Sequence, residues 1–330
     1  LTVPGYYNID NITGDPRRSN SFARTRRFSF FANVDLGLGN GEEGSEYLSL
    51  NLTARNDWDS RFTGGEKNNY FYPSAGVSFI PTKAFDGLRN NKTLNYAKLY
   101  GSIVRVGNAS RLAAYGLNDV YGSATGYPFN TLNSFAPNLS PTDPGLSPEF
   151  MTTTEFGWNL GFLNDRFTFE GSVYKTTTTD LITNQSTSAG SGLNTLLTNI
   201  GQMTTTGFEL DFGFTPIKKS DFGGLGLKWE NRVAYTTSKS IVDKVTDQAD
   251  EIALVNFTGT GVGIFATKGE EFPLIKGIAY QRDDQGRVLI DPTNGNPLRT
   301  NNYEILGQAT PDYIINYNTA VEFKGVRLAA

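Results

Sequence analysis

The chain has 330 residues, among them 23 Phe, 16 Tyr and 36 Gly, and a formal net charge of −4. Cys and His are both absent, which excludes a disulfide framework, thiolate zinc sites, a Cys nucleophile and every His-based triad. The mildly acidic balance carries no electrostatic footprint for nucleic acid, and no run of about 18 apolar residues offers a membrane-crossing helix.

Residues 1–27 show no periodicity and read as a lead-in loop. Within PRRSNSFARTRRF (16–28), Arg17, Arg18, Arg24, Arg26 and Arg27 either meet anionic lipopolysaccharide head groups or belong to a solvated loop. From residue 28 onward the dominant pattern is period-two alternation, the mark of strands with two unlike faces. It predicts strands over about 28–38, 46–57, 69–80, 94–106, 152–162, 166–181, 208–215, 225–235 and 312–323, with a tenth starting near 326. Phe156, Trp158, Leu160 and Phe162 share a face opposite Glu155 and Asn159. Phe167, Phe169 and Val173 oppose Thr168, Glu170 and Ser172, and Phe208, Leu210, Phe212 and Phe214 oppose Glu209 and Asp211. Trp229, Val233 and Tyr235 oppose Glu230 and Arg232, and Tyr317, Val321 and Phe323 oppose Asn318 and Glu322.

The connections alternate in length. Those at 39–44, 80–93, 162–167 and 215–224 are short, and those at 58–68, 108–148, 183–199 and 241–310 are longer. Alternate connections of a meander lie at the same end, so one end carries trimmed turns and the other elaborate loops. That asymmetry is the one seen in outer-membrane barrels, which satisfy every backbone polar group inside lipid by closing the sheet. The expected fold is therefore all-β, an antiparallel up-and-down transmembrane β-barrel. The apolar rows would face lipid, and Arg55, Asp57, Glu155, Glu170, Glu209, Asp211, Glu230, Arg232 and Glu322 would face a wet lumen. Phe162, Phe214, Tyr235 and Phe323 would form an interfacial girdle. A soluble sandwich or propeller shows the same alternation with its apolar face inward; strand length, the opposed rows of charge and the loop asymmetry favour the barrel.

Candidate chemistry is sparse. Loop 108–148 is rich in Tyr, Phe, Asn, Ser and Gly, and Tyr115, Tyr121, Tyr127 and Phe129 are its candidates for ligand contact. Asp283, Asp284, Asp291 and Asn294 raise calcium, but their spacing is that of ordinary hairpin turns, so no cofactor is expected. The paired carboxylates Asp57/Asp59 and Glu155/Glu170 are what any polar barrel wall contains, and no Ser-centred motif accompanies them. No enzymatic activity is expected.

Several segments, in order, carry a family resemblance. They are YLSLNLTARNDWDSRF (47–62), NNYFYPSAGVSF (68–79), KAFDGL (83–88), LNYAKLYGSIVRVGN (94–108), LSPEFMTTTEFGWNLGFLNDRFTFEGSVYKTTTTDLI (146–182), SGLNTLLTNIGQMTTTGFELDFGF (191–214), KGEEFPLIKGIAYQRDDQGRVL (268–289) and LGQATPDYIINYNTAVEFKGVRL (306–328). Together they resemble the C-terminal half of SusC/RagA-type TonB-dependent transporters of the Bacteroidota outer membrane. The resemblance implies that this chain is a segment supplying ten strands of a barrel of about 22, with a plug and TonB-contacting box elsewhere. It also implies import of a large glycan or peptide, energised through TonB–ExbB–ExbD, beneath a SusD-like lipoprotein lid. The alternative within the same architecture is a non-transporting barrel used in adhesion or a surface assembly. Where the family usually has Gly-Ser-Ser, this chain has Trp58, Asp59 and Ser60, which adds Trp58 to the candidates for substrate or lid contact.

Overall fold

The computed structural model describes residues 4–5, 22–40, 45–65, 67–89, 91–124, 132, 134–221, 226–246, 249–257 and 261–330. Their β-branched and aromatic residues alternate with polar ones, and the chain accordingly forms strands. In order these are β1 (Arg27–Leu38), β2 (Leu48–Asp59), β3 (Asn69–Phe79), β4 (Leu94–Asn108), β5 (Gly122–Ser123), β6 (Phe135–Ala136), β7 (Glu149–Phe162), β8 (Phe167–Thr179) and β9 (Ile182–Ser186). They continue as β10 (Thr195–Asn199), β11 (Gln202–Ile217), β12 (Leu227–Lys244), β13 (Glu251–Phe257), β14 (Val262–Thr267), β15 (Leu274–Tyr280), β16 (Arg299–Gln308), β17 (Ile314–Phe323) and β18 (Val326–Ala329). Helical structure among the described residues is limited to α1 (Pro81–Ala84) and single 3₁₀ turns at Ser60–Phe62 and Ala189–Ser191.

Ten strands build one antiparallel sheet in the order β1-β2-β3-β4-β7-β8-β11-β12-β17-β18. The sheet is open, with β1 and β18 as its edges, and is a partial barrel. Each predicted strand has its counterpart in this sheet. On β1 and β2 Val34 pairs with Leu52 and Leu36 with Leu50, while Asn33 pairs with Thr53 and Asp35 with Asn51. The apolar rows are left uncovered: Phe30 is 63% exposed, Val34 48%, Ile103 51% and Tyr317 60%. An apolar row open to its surroundings contradicts a sandwich core and fits a lipid-facing wall. On β1 the row runs ten residue steps from Phe28 to Leu38, about 33 Å of strand, or about 25 Å of height at a 40° tilt.

The connections β1–β2, β3–β4, β7–β8, β11–β12 and β17–β18 lie at one end, and the three long connections lie at the other. Lys324 and Gly325, with φ of 46° and 86°, make the two-residue turn between β17 and β18, whose positive φ values match the strand twist. Between β7 and β8, Leu163, Asn164 and Asp165 are all left-handed, with φ of 53°, 55° and 59°. Asn95 of the neighbouring β4 braces that turn by donating to the Asp165 carboxylate at 2.6 Å.

The structure departs from the sequence reading at the loop end. β11 begins at Gln202 rather than near 208, and β12 runs on to Lys244 rather than stopping near 235. The extra length is a hydroxyl-rich belt. Thr153 and Thr176 lie opposite each other, Thr176 and Thr205 likewise, and Thr205 and Ser240 complete the row. Hydroxyl pairs at 2.9 Å (Thr153–Thr176) and 2.7 Å (Thr205–Ser240) tie it together. Thr is a strong strand former but gives no apolar/polar contrast, so the alternation ends before the strands do. The long connections also hold structure of their own. β9 pairs with β10, and β13-β14-β15-β16 form a separate antiparallel sheet within the connection 245–313. Beneath the loops Phe62, Tyr70, Ala109, Leu112, Leu146 and Ile182 form a buried cluster, built from four different chain segments and so invisible to any local period.

Two predictions follow from this layout. Val34→Arg, on the apolar row at mid-height of β1, should destabilise the bilayer-embedded protein by about 2–4 kcal/mol, and Asn33→Arg on the opposite face by less than about 1 kcal/mol; urea unfolding from liposomes measures both. In the loop sheet, burial raises the Glu251 pKa, but the Lys276 ammonium and the Thr267 hydroxyl, each 2.6 Å away, outweigh it and hold the carboxyl below its usual range. Glu251 therefore stabilises the sheet above the ordinary carboxylate range of about 4.3. That contribution is lost as pH falls through this range toward the depressed folded value. Amide exchange in β13–β15 should rise over that window, and Glu251→Gln should flatten the response.

Candidate functional site: the polar wall and the loop-side mouth

The antiparallel register gathers the polar residues of six strands on one face. Glu155 lies opposite Ser102, Asn159 opposite both Lys98 and Glu170, Glu170 opposite Asp211, and Arg232 opposite Asn318. Tyr100 reaches over Gly157, directly across the ladder, where a Cβ would run into the ring. That missing side chain lets the phenol donate to the Glu155 carboxylate at 3.3 Å. Asp211 is paired with Arg232 at 2.6 Å, whereas Glu170 and Glu209 have no hydrogen-bond or ion-pair partner among the described residues. Uncompensated carboxylates need water, so this face is the wet one. Toward the turn end, Glu230 takes Lys228 and, at 3.7 Å, Arg327, while Glu322 takes Lys219. Lys219, Lys228, Glu230 and Arg327 line a cleft of about 1120 Å³.

At the loop end the charges condense. Arg55 donates to Asp57 at 2.6 Å and to the Ser29 hydroxyl at 2.9 Å. Asp59 ends β2 and accepts from the Arg61 backbone N–H at 3.0 Å, from its guanidinium at 2.7 Å and from Arg27 at 3.3 Å. Arg61 turns its other arm to the Ala109 carbonyl at 2.6 Å, tying the short loop after β2 to the long loop after β4. The Asp59 side chain is 8% exposed and that of Arg61 13%. The pair is a nearly buried clamp above the Phe62–Tyr70 cluster.

The remaining candidates scatter. Trp58 lies on the apolar face, directly opposite Phe28, with ring centroids 5.7 Å from Phe28 and 5.9 Å from Phe30. Its parity with Leu48, Leu50 and Leu52 was the signal for that placement. Tyr115 (left-handed, φ 62°) and Tyr121 are exposed in the loop after β4. Tyr127 and Phe129 lie outside the described residues. Asp283 and Asp291 anchor turns. The backbone N–H and guanidinium of Arg287 hold the Asp283 carboxyl below its usual range, and the hydroxyl and backbone N–H of Thr293 do the same for Asp291. Among the described residues no group of three acidic side chains is arranged to hold a cation.

Asp59→Asn leaves Arg61 without its buried counter-ion and should cost about 3 kcal/mol, read as amide exchange accelerated more than a hundredfold at Phe62, Tyr70 and Leu112. Arg287→Gln, which removes an exposed pair, should leave those amides unchanged.

Comparison with known proteins agrees with this architecture. A family model described as "TonB dependent receptor-like, beta-barrel" matches residues 2–330. TonB-dependent receptor P26 of Formosa agariphila is 23% identical over 98% of this chain and 33% of its own length. TonB-dependent receptor P3 of the same organism is 24% identical over 97% of this chain and 32% of its own length. The chain thus spans about a third of the length of the curated relatives it matches. Among solved structures, the RagAB peptide transporter superposes with a TM-score of 0.73 at 20% identity, covering 92% of this chain and 33% of that one. The RagAB peptide importer in its open-open state gives 0.72 at 18% identity, over 92% and 32%. The family is one of receptors rather than enzymes. The chain belongs to the TonB-dependent receptor β-barrel family.

Proposed function

We propose that this chain forms part of the wall and the extracellular mouth of an outer-membrane importer of large nutrients, peptide or glycan, driven through TonB–ExbB–ExbD. The observation that carries the reading is the pairing of a wet, charged inner wall with structured loops gathered at a single end of a lipid-facing sheet. The likeness of fold to the RagAB peptide transporter supports uptake.

In this reading the loop end faces outward, beneath a SusD-like lipoprotein lid, with Tyr115 and Tyr121 free to touch cargo or lid. Trp58, among Phe28 and Phe30, takes a seat at the lipid boundary instead.

Cells expressing the intact receptor should accumulate labelled oligopeptide or oligosaccharide, and loss of TonB or collapse of the proton gradient should reduce accumulation to background. Uptake that survives both treatments, or surface binding without accumulation, would overturn the proposal.

A further inference from the structure

A cavity of about 350 Å³ lies at the loop end, where β4, β7, β11 and β12 finish beneath the loop sheet. Its walls are mostly apolar: Ile182, Met203 and Val242 from the barrel side, Leu254 and Phe272 from the connection 245–313. Three charged side chains stand in its lining, Glu149, Arg111 and Lys244, the last already engaged in an interaction of its own. Glu149 is spent on structure, one oxygen accepting from the Ile182 N–H at 3.0 Å and the other from the Asn108 amide at 3.0 Å. Arg111 gives one N–H to the Ile182 carbonyl at 3.2 Å and makes no ion pair among the described residues, leaving donors of its five for an anion.

The volume is at the small end for a ligand site and suits a single bulky side chain with its backbone. Neutral sugars are held by aromatic platforms and convergent amides, and Phe272 is the one aromatic ring among the lining residues. Apolar walls with a guanidinium beside them match instead an apolar group that carries a carboxylate. We propose that this cavity takes the carboxy-terminal residue of a short peptide, its side chain against Met203, Val242, Leu254 and Phe272 and its carboxylate on Arg111. The assignment rests on the uptake reading above and narrows its substrate class to peptide.

The test is calorimetric titration of the purified intact receptor with short peptides ending in Leu, as the free acid and as the carboxy-terminal amide. The free acid should bind at least about tenfold more tightly than the amide. Arg111→Ala should abolish that difference, and Arg111→Lys should retain part of it. Leu254→Trp, at a side chain 41% exposed, should fill the cavity and weaken Leu-ended peptides about tenfold or more, with the unfolding midpoint unchanged. Equal binding of acid and amide, or binding indifferent to both Arg111→Ala and Leu254→Trp, would sink the assignment, as would a neutral oligosaccharide that competes for the cavity. Arg111-dependent binding without energised uptake would overturn the importer reading alone. Energised peptide uptake indifferent to amidation and to Arg111→Ala would overturn the cavity assignment alone.

Discussion

In hydrocarbon, a backbone N–H or C=O without a partner costs several kcal/mol, and water is not there to supply one. A sheet that meets this condition must pair continuously through the bilayer, and the pairing fixes much else here. Because the ladders run without a slip through the membrane-facing part of most strand pairs, from Arg27–Asp59 to Leu38–Leu48 for example, a side chain's parity decides whether it meets lipid or water. The irregularities fall near the ends: between Gln202 and Met203 in the hydroxyl belt, between Phe214 and Ile217 near the turns, and between Leu94 and Tyr96. A one-residue slip in mid-strand would put Glu170 or Arg232 into lipid.

The same constraint divides the molecule into zones with different stabilising forces. In the wall, backbone pairing and cross-strand contacts such as Phe167 on Phe214, stacked at 4.8 Å, hold the sheet, and lipid covers the apolar row. Above the wall both faces are wet, so the strands change to Thr and Ser. Higher still, the loops need a core of their own. They find it by driving Phe62, Leu112 and Ile182 onto Tyr70 and locking the arrangement with the Asp59–Arg61 clamp. In the clamp the Asp59 carboxylate steadies the Arg61 guanidinium within one loop, and that guanidinium reaches the carbonyl of the next. The clamp lies beside the apolar cluster because a guanidinium reaching the Ala109 carbonyl gains most where water is scarce.

What was legible in the sequence follows this division. Where one face meets lipid and the other water, the contrast is written in every second residue, and the ten strands and the alternation of turns with loops could be read directly. The parity of Trp58 with Leu48, Leu50 and Leu52 was equally legible. Where both faces meet water the contrast vanishes, and the extensions of β11 and β12 went unseen. The loop core and the cavity beside Arg111 depend on residues from distant segments, and no local window contains both Phe62 and Ile182. The burial of Asp59 was hidden for the same reason, since its depth comes from the chain around Ala109 and not from its own neighbours.

The distribution of charge separates the wall from the mouth. On the wall, Glu170 stands opposite Asp211, an arrangement that destabilises a strand pair unless water or a counter-charge intervenes. Arg232 answers Asp211 but leaves Glu170 and Glu209 to the solvent. Such residues contribute nothing to holding the sheet together, so their place in the wall is explained by what the interior must be: wet, and unattractive to a carboxylate. At the mouth the balance reverses. Glu149 is taken up by the Ile182 N–H and the Asn108 amide, while Arg111 makes no ion pair among the described residues, so an acidic group is welcome there and repelled one layer deeper. A site with this polarity holds an anionic end at the entrance rather than drawing it along the wall, which is how a capture site differs from a conduit.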